Sequence, residues 1–128
     1  MCRSHIVADN DHHREQFARF GVEAIPAGRF ADALELEIDT PIYLSMDMDA
    51  LDPAFAPGVS HREPGGLSPR QVIELLHALR ASIVAADIVE CNPRRDIDGL
   101  TATVAAKLLK EIGGMMAMNA DRPEPALA

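Results

Sequence analysis

Short apolar runs alternate along this chain with segments whose apolar residues recur at helical spacing. Two of the runs are typical of buried strands: one extends over about residues 41–47, and the other covers Ile83–Val89. A weaker strand candidate covers residues 22–25, before a proline and a glycine. Both of the stronger strands lead directly into acidic residues. We expect these two strands to run side by side in a parallel sheet, so that the acidic residues emerge together at one edge.

Four segments are predicted to be helices: residues 10–20, 30–38, 68–81 and a last helix that follows residue 98. The third has the clearest start, because Ser68 and Gln71 have capping-box spacing and Pro69 stands in the first turn. For the last helix, Asp98 is the predicted cap, and Gly113 with Gly114 is the predicted end. The predicted inward-facing residues are Val72, Leu75, Leu76 and Leu79 in the third helix, and Val104, Ala105, Leu108 and Ile112 in the last.

The alternation of strands and helices predicts an α/β fold with a mostly parallel sheet. A length of 128 residues favours one domain. We expect this domain to cover residues 1–118. Residues 119–128 carry two prolines and no apolar pattern, which predicts a mobile tail.

The net charge of −8 argues against binding to nucleic acid or to anionic membranes. An acidic chain suits cationic substrates, although many acidic proteins are only kept soluble by their charge. No apolar segment is long enough to cross a bilayer, and no signal peptide is visible. Cys2 and Cys91 lie far apart without metal or redox spacing, so we expect free thiols in a reducing, cytoplasmic compartment.

Asp47 and Asp49 stand at the carboxyl end of the first strong strand, where open α/β sheets place their ligands. If both belonged to the strand, their side chains would share one face. Two adjacent carboxylates repel each other, and a hard divalent cation relieves that repulsion. The alternative is a turn, in which Asp bonds its own backbone. Asp52 could likewise cap the following loop or support the other two aspartates as a neighbouring acceptor.

Glu90 ends the second strong strand, so it could partner a metal or a guanidinium group, or simply face water. The loop over residues 49–67 is long for a small domain, and loops of that length are usually functional. His61 is the histidine of this loop; it could lie near the site or bond only to backbone. Gly65 and Gly66 lack a neighbouring lysine, which argues against phosphate binding.

Several motifs stand at specific spacings along the chain: Ser45-x-Asp47-x-Asp49-x-x-Asp52-Pro53, Ala56-Pro57-Gly58, Gly65-Gly66-Leu67, Asp87-Ile88-Val89-Glu90 and Asn92-Pro93. Together they resemble the signature of the ureohydrolases, the family of arginases and agmatinases. Residues 56–68 look most like the loop of plant-type arginases and their bacterial relatives. The resemblance implies the C-terminal portion of a three-layer, arginase-like α/β fold.

The resemblance also implies a site with two Mn²⁺ ions, which Asp47 would bridge while Asp49 binds one of them. Glu90 would pair with the guanidinium group of a small substrate, and His61 would lie at the substrate mouth. Hydroxide formed from metal-activated water would then attack the guanidinium carbon and release urea. Family members form trimers and hexamers, which implies a homo-oligomer.

The likeness extends only to the C-terminal part of a ureohydrolase. The upstream histidine ligand, the Asp-x-His-x-x-x-Asp cluster and the proton-shuttling histidine have no counterpart here, so no catalytic acid or base is assigned in this chain. We therefore expect a fragment, half of a split enzyme completed by an N-terminal polypeptide, or a truncated reading frame. Arginine is the favoured substrate; agmatine or another guanidino acid, and a non-catalytic remnant that only folds or associates, are the alternatives.

Overall fold

The computed structural model describes residues 2–6 and 11–120, with the side chains of residues 2–6, 13, 119 and 120 left aside. Its elements follow in the order β1 Cys2–Ile6, α1 Asp11–Phe20, β2 Val22–Pro26, α2 Phe30–Leu34, β3 Ile42–Asp47, α3 Pro69–Ala78, β4 Ile83–Val89 and α4 Leu100–Ala120, with 3₁₀ turns at Ala27–Arg29 and Met48–Ala50. No helix in these ranges is long and apolar enough to cross a membrane.

The strands of the described residues pair in parallel. Strand β1 pairs with β2, and β3 pairs with β4 from Ile42 opposite Ile83 to Asp47 opposite Val89. Helices α3 and α4 pack against each other, and α4 packs against β4. The predicted α/β class, with parallel strands and flanking helices, is confirmed. The predicted pairing of the two strong strands is confirmed as well.

The core lies between the inner face of β3–β4 and the helices α3 and α4. Its members are Met48, Leu51, Ala56, Val59, Leu67, Val72, Ile73, Leu76, Leu108 and Ile112. Leu44 and Met46 of β3 pack against this cluster from the sheet. Met48 and Leu51 are fully buried on either side of Asp49, so the segment that carries the aspartates is anchored in the core.

Helix α3 begins as predicted. The Ser68 hydroxyl accepts the backbone N–H of Gln71, and the Gln71 side chain accepts the backbone N–H of Ser68, so the capping box is complete. Helix α4 differs at its start, because the cap is Asp96 rather than Asp98. The Asp96 carboxylate accepts the N–H groups of Thr101 and Ala102, whereas Asp98 has a φ of 51° and lies in the turn before the helix.

The predicted end of α4 at Gly113 and Gly114 is wrong, because the helix continues to Ala120. A glycine inside a helix costs only about 1 kcal/mol. Met115 and Met116 pack against the core beyond the two glycines, and this burial favours continuation of the helix. The helix includes the first two residues of the predicted tail, and residues 121–128 lie outside the described part of the chain.

Helix α2 ends at Leu34, well before the predicted residue 38. Leu36 and Ile38 are partly buried, whereas Glu35, Glu37 and Asp39 around them are exposed. Burial thus alternates at every second residue, which is typical of an extended chain. The prediction that the helix continues to Ile38 is therefore wrong.

Candidate metal and substrate site

The carboxyl ends of β3 and β4 lie at the same edge of their sheet. Asp47 is the last residue of β3 and lies opposite Val89, and Glu90 follows β4 directly. Glu90 has a φ of 62°, a left-handed conformation that non-glycine residues seldom adopt. The acidic residues that follow the two strands therefore emerge together, as the sequence predicted.

Asp47 and Asp49 do not share a strand face. The strand ends at Asp47, and a 3₁₀ turn over Met48–Ala50 carries Asp49. Oδ1 of Asp47 accepts the backbone N–H of Asp49 at 2.8 Å and caps this turn. The predicted strand geometry is thus wrong for Asp49. Met48 is buried in the core immediately after the strand, and the chain turns there instead of continuing as a strand.

Asp49 is the most enclosed acid of the site, with only 18% of its side chain exposed. Its Oδ2 atom lies 3.2 Å from Nδ1 of His61. Its Oδ1 atom is buried and has no hydrogen-bond partner among the described residues. A buried carboxylate oxygen without a partner is costly, and a bound cation would satisfy it.

Asp49, His61 and Glu90 converge on one small volume. Each offers a ligand atom, and these three atoms lie within 4.8 Å of one another. Two carboxylate oxygens and an imidazole nitrogen suit a divalent cation such as Mn²⁺ or Zn²⁺. The group therefore fits either one cation, or a cation on Asp49 beside a guanidinium group on Glu90. Asp47, which is exposed beside them, is not part of this three-residue group.

Asp52 organises the loop between β3 and α3. Its carboxylate accepts the N–H groups of Ala54 and Gly65, both at 2.8 Å, and these bonds lower the pKa of Asp52 below its usual range. A Cβ atom on Gly66 would lie 2.6 Å from the backbone nitrogen of Asp52, so the two ends of the loop pass each other closely. These contacts are those of a loop cap. Support of the other two aspartates by Asp52 stays a prediction.

Arg62 and Arg95 join this loop to the loop that follows β4. Arg62 donates to the carbonyl oxygen of Arg95 at 2.9 Å, and Arg95 donates to the carbonyl oxygen of Ser60 at 2.9 Å. The sequence analysis assigned a role to neither arginine. The one local signal is that Arg62 directly follows His61.

A polar network on the outer face of β3–β4 was also overlooked. The Tyr43 hydroxyl donates to Oδ2 of Asp87 at 2.5 Å, and Ser45 also hydrogen-bonds Asp87. The bond to Tyr43, followed by that to Ser45, lowers the pKa of Asp87, and the same bond raises the pKa of Tyr43. Two features of the sequence could have indicated this network. Asp87 interrupts an otherwise apolar strand, and Tyr43, Ser45 and Asp47 alternate along the strand that pairs with it.

A groove of about 490 Å³ lies between the loop after β4 and helix α4. Ile88, Cys91, Ala105 and Leu109 are among its lining residues, whereas none of the five predicted site residues is. Its walls are mainly apolar, so it offers little to a guanidinium group. Burial raises the pKa of the Cys91 thiol in this groove, which disfavours the reactive thiolate.

Comparison with known proteins places these features in context. Residues 7–114 match the Arginase family. The chain is 53% identical over 111 residues to mitochondrial arginase 1 of Arabidopsis thaliana, covering 80% of this chain and 32% of that protein. It is 40% identical over 111 residues to a guanidinopropionase of Pseudomonas aeruginosa, covering 86% of this chain and 34% of that protein.

A solved structure of arginase from Medicago truncatula has a similar fold. It superimposes with a TM-score of 0.77 and 42% identity, and the match covers 87% of this chain and 38% of that one. The chain thus spans about a third of the length of the curated relatives that it matches.

Proposed function

Because this chain belongs to the arginase family, we propose that it forms part of a manganese hydrolase that cleaves a guanidino compound to urea and an amine. The observation that carries the proposal is the convergence of Asp49, His61 and Glu90 at one sheet edge. The unpartnered Oδ1 atom of Asp49 supports a cation at that position.

Asp49 would hold manganese, with Asp47 beside it at the end of β3. Manganese bound at this edge would lower the pKa of a water molecule, so that hydroxide would be available as a nucleophile near neutral pH. The overall reaction adds the elements of one water molecule across a carbon–nitrogen bond of the guanidinium group. That bond breaks, the carbon leaves in urea, and the released nitrogen leaves as an amine.

Glu90 would hold the guanidinium group by a bidentate pair, which matches the planar fork of two N–H groups. Its exposed carboxylate faces the same volume as the Asp49 carboxylate, so a guanidinium held there would lie next to the metal position. His61, with 86% of its side chain exposed, would line the mouth of the site.

Arginine is the substrate that we favour, on the likeness to plant arginases. The likeness to a guanidinopropionase keeps a guanidino acid as the second candidate. Glu90 recognises only the guanidinium group that all these compounds share, so another part of the complete enzyme must read the far end of the substrate. We propose that the enzyme works either as a homo-oligomer or with a complementing N-terminal polypeptide, in a reducing, cytoplasmic compartment.

The proposal is tested by reconstitution. The purified chain is mixed with a polypeptide that carries the upstream ureohydrolase ligands, and urea release from arginine, agmatine and 3-guanidinopropionate is measured with Mn²⁺ present. We expect turnover that neither component shows alone and that Asp49→Ala abolishes. If the assembled complex bound Mn²⁺ but released no urea from any guanidino compound, the chain would be a non-catalytic remnant.

A further inference from the structure

Two arginines connect the loops of the site in a reciprocal arrangement. Arg62, on the loop after β3, donates from Nη2 to the carbonyl oxygen of Arg95, on the loop after β4. Arg95 donates from Nη1 to the carbonyl oxygen of Ser60, back on the first loop. Arg62 also donates from Nε to the carbonyl oxygen of Pro57 at 2.7 Å, so it spans its own loop as well.

His61 lies between the two residues that this arrangement holds. The backbone of Ser60 is fixed by Arg95 on one side, and the Arg62 side chain fixes the other side. The imidazole itself is 86% exposed, and its contact with Asp49 is long at 3.2 Å. An exposed ring with so little packing needs an ordered backbone beneath it to stay in one position.

The other bonds that join this loop to the loop after β4 lie before His61, whereas Gly65, beyond it, bonds Asp52 within the same loop. The backbone N–H of Asn92 donates to the carbonyl oxygen of Gly58 at 2.7 Å, and Val59 bridges to Cys91. The Asn92 side chain reaches the Ser60 hydroxyl at 3.3 Å. Beyond His61, the contact with the second loop is that of Arg62.

Arginine has the chemistry that this position requires. The Nε and Nη2 groups of Arg62 donate in fixed directions to two carbonyl oxygens from different loops. A lysine carries one ammonium group on a flexible stem and lacks this planar fork. A lysine at position 62 would keep the charge and lose the bridging geometry.

We propose that Arg62 and Arg95 are positioning residues that hold the His61 imidazole over Asp49. The ordering of His61 is a property of the chain itself. Only its consequence for substrate binding rests on the proposed function.

The test uses the metal-free chain with ¹³C,¹⁵N-labelled histidine, and it measures the order of the His61 ring by NMR relaxation. The His61 signal is assigned by its loss in His61→Gln, and the His77 ring, bonded to Glu111 at 2.8 Å, is the internal reference. Arg62→Lys and Arg95→Lys are compared with Arg94→Lys, a matched control on the loop after β4. The bond described for Arg94 runs from its backbone N–H to the Asn92 side chain, so the substitution leaves that bond in place.

We expect the order parameter of the His61 ring to be the same in the wild-type chain and in Arg94→Lys. It should be lower in both Arg62→Lys and Arg95→Lys, falling into the flexible range below about 0.6. The His77 ring should not change, which separates loss of positioning from general unfolding. An equally ordered His61 ring in all variants, or a flexible ring in the wild type, would overturn the proposal.

The reconstituted enzyme gives an independent second measurement. There, Arg62→Lys should raise KM for arginine several-fold with kcat little changed. An unchanged KM beside a disordered ring would show that His61 does not contact substrate. That result would contradict the role of His61 in the proposed function, but Arg62 and Arg95 would still be shown to position the ring.

Discussion

Nδ1 of His61 lies 3.2 Å from Oδ2 of Asp49, although the two residues stand 12 positions apart on a long loop. This contact brings an imidazole nitrogen to a carboxylate whose other oxygen is buried and without a partner in the described residues. The pair, with Glu90 beside it, gives the sheet edge the oxygen and nitrogen atoms that suit a cation.

Mn²⁺ binding by the chain alone should be weak, because two aspartates cannot fill two coordination spheres. Asp49→Ala and Asp47→Ala should each abolish the binding, as measured by isothermal titration calorimetry. Asp39→Ala removes an exposed carboxylate before β3 and should leave the binding unchanged. Tight binding of two ions by the isolated chain would show that the ligand count is wrong.

Glu90→Gln should lower kcat/KM for arginine about a hundredfold or more in the reconstituted enzyme. The substitution keeps the shape but removes the charge that pairs with the guanidinium. Glu90 is exposed in this chain, but substrate and the rest of the assembled enzyme would cover the pair, and loss of one partner of a buried pair costs about 3–5 kcal/mol. Manganese content should not change. If the variant instead lost the metal and kept its affinity for arginine, Glu90 would be a ligand and its assignment to the guanidinium would be wrong.

Tyr43 offers a direct measurement of the outer-face network, because it is the single tyrosine of a chain without tryptophan. The hydrogen bond to Asp87 stabilises the neutral phenol, so its pKa lies above the usual 10.0. Asp87→Asn removes the negative charge that opposes phenolate formation, and the pKa should fall. Phenolate absorbance at high pH measures it, with Asp39→Asn as the control. An unchanged titration would mean that the bond does not persist in solution.

Glu111 should make stability depend on pH. Hydrogen bonds from Lys107 and then His77 lower its pKa from 4.5 to about 2. The ionised form is favoured in the folded state, so this stabilisation is fully present above pH 4.5 and is lost as the pH falls toward 2. Denaturant unfolding should therefore show that Glu111→Gln is destabilised at pH 7 and less so at pH 3. Glu74→Gln, on the exposed side of α3, should show no such pH dependence.

Gly66 and Gly113 should respond in opposite directions to alanine. A Cβ on Gly66 would lie 2.6 Å from backbone atoms of Leu51 and Asp52, so Gly66→Ala should destabilise the fold by about 1–3 kcal/mol. A Cβ on Gly113 would meet nothing within 4 Å, so Gly113→Ala should stabilise α4 by about 0.5–1 kcal/mol. Thermal or denaturant unfolding measures both. Equal effects would contradict the close approach at Gly66.

The sequence by itself determined the elements whose signals are local. Apolar runs located β3 and β4, and the spacing of Ser68, Pro69 and Gln71 located the start of α3. Parallel pairing followed from the strand–helix order, and it correctly placed Asp47 and Glu90 at one edge. The family resemblance was equally accessible, since it depends on residue types at fixed spacing.

Tertiary structure decided what depends on contacts between distant segments. Packing of Met115 and Met116 carried α4 past two glycines, and burial of Met48 moved Asp49 out of the strand. The Arg62–Arg95 arrangement joins residues 33 positions apart. No local pattern encodes which carbonyl an arginine will reach, because that choice is made only when two loops are brought together by the strands beneath them.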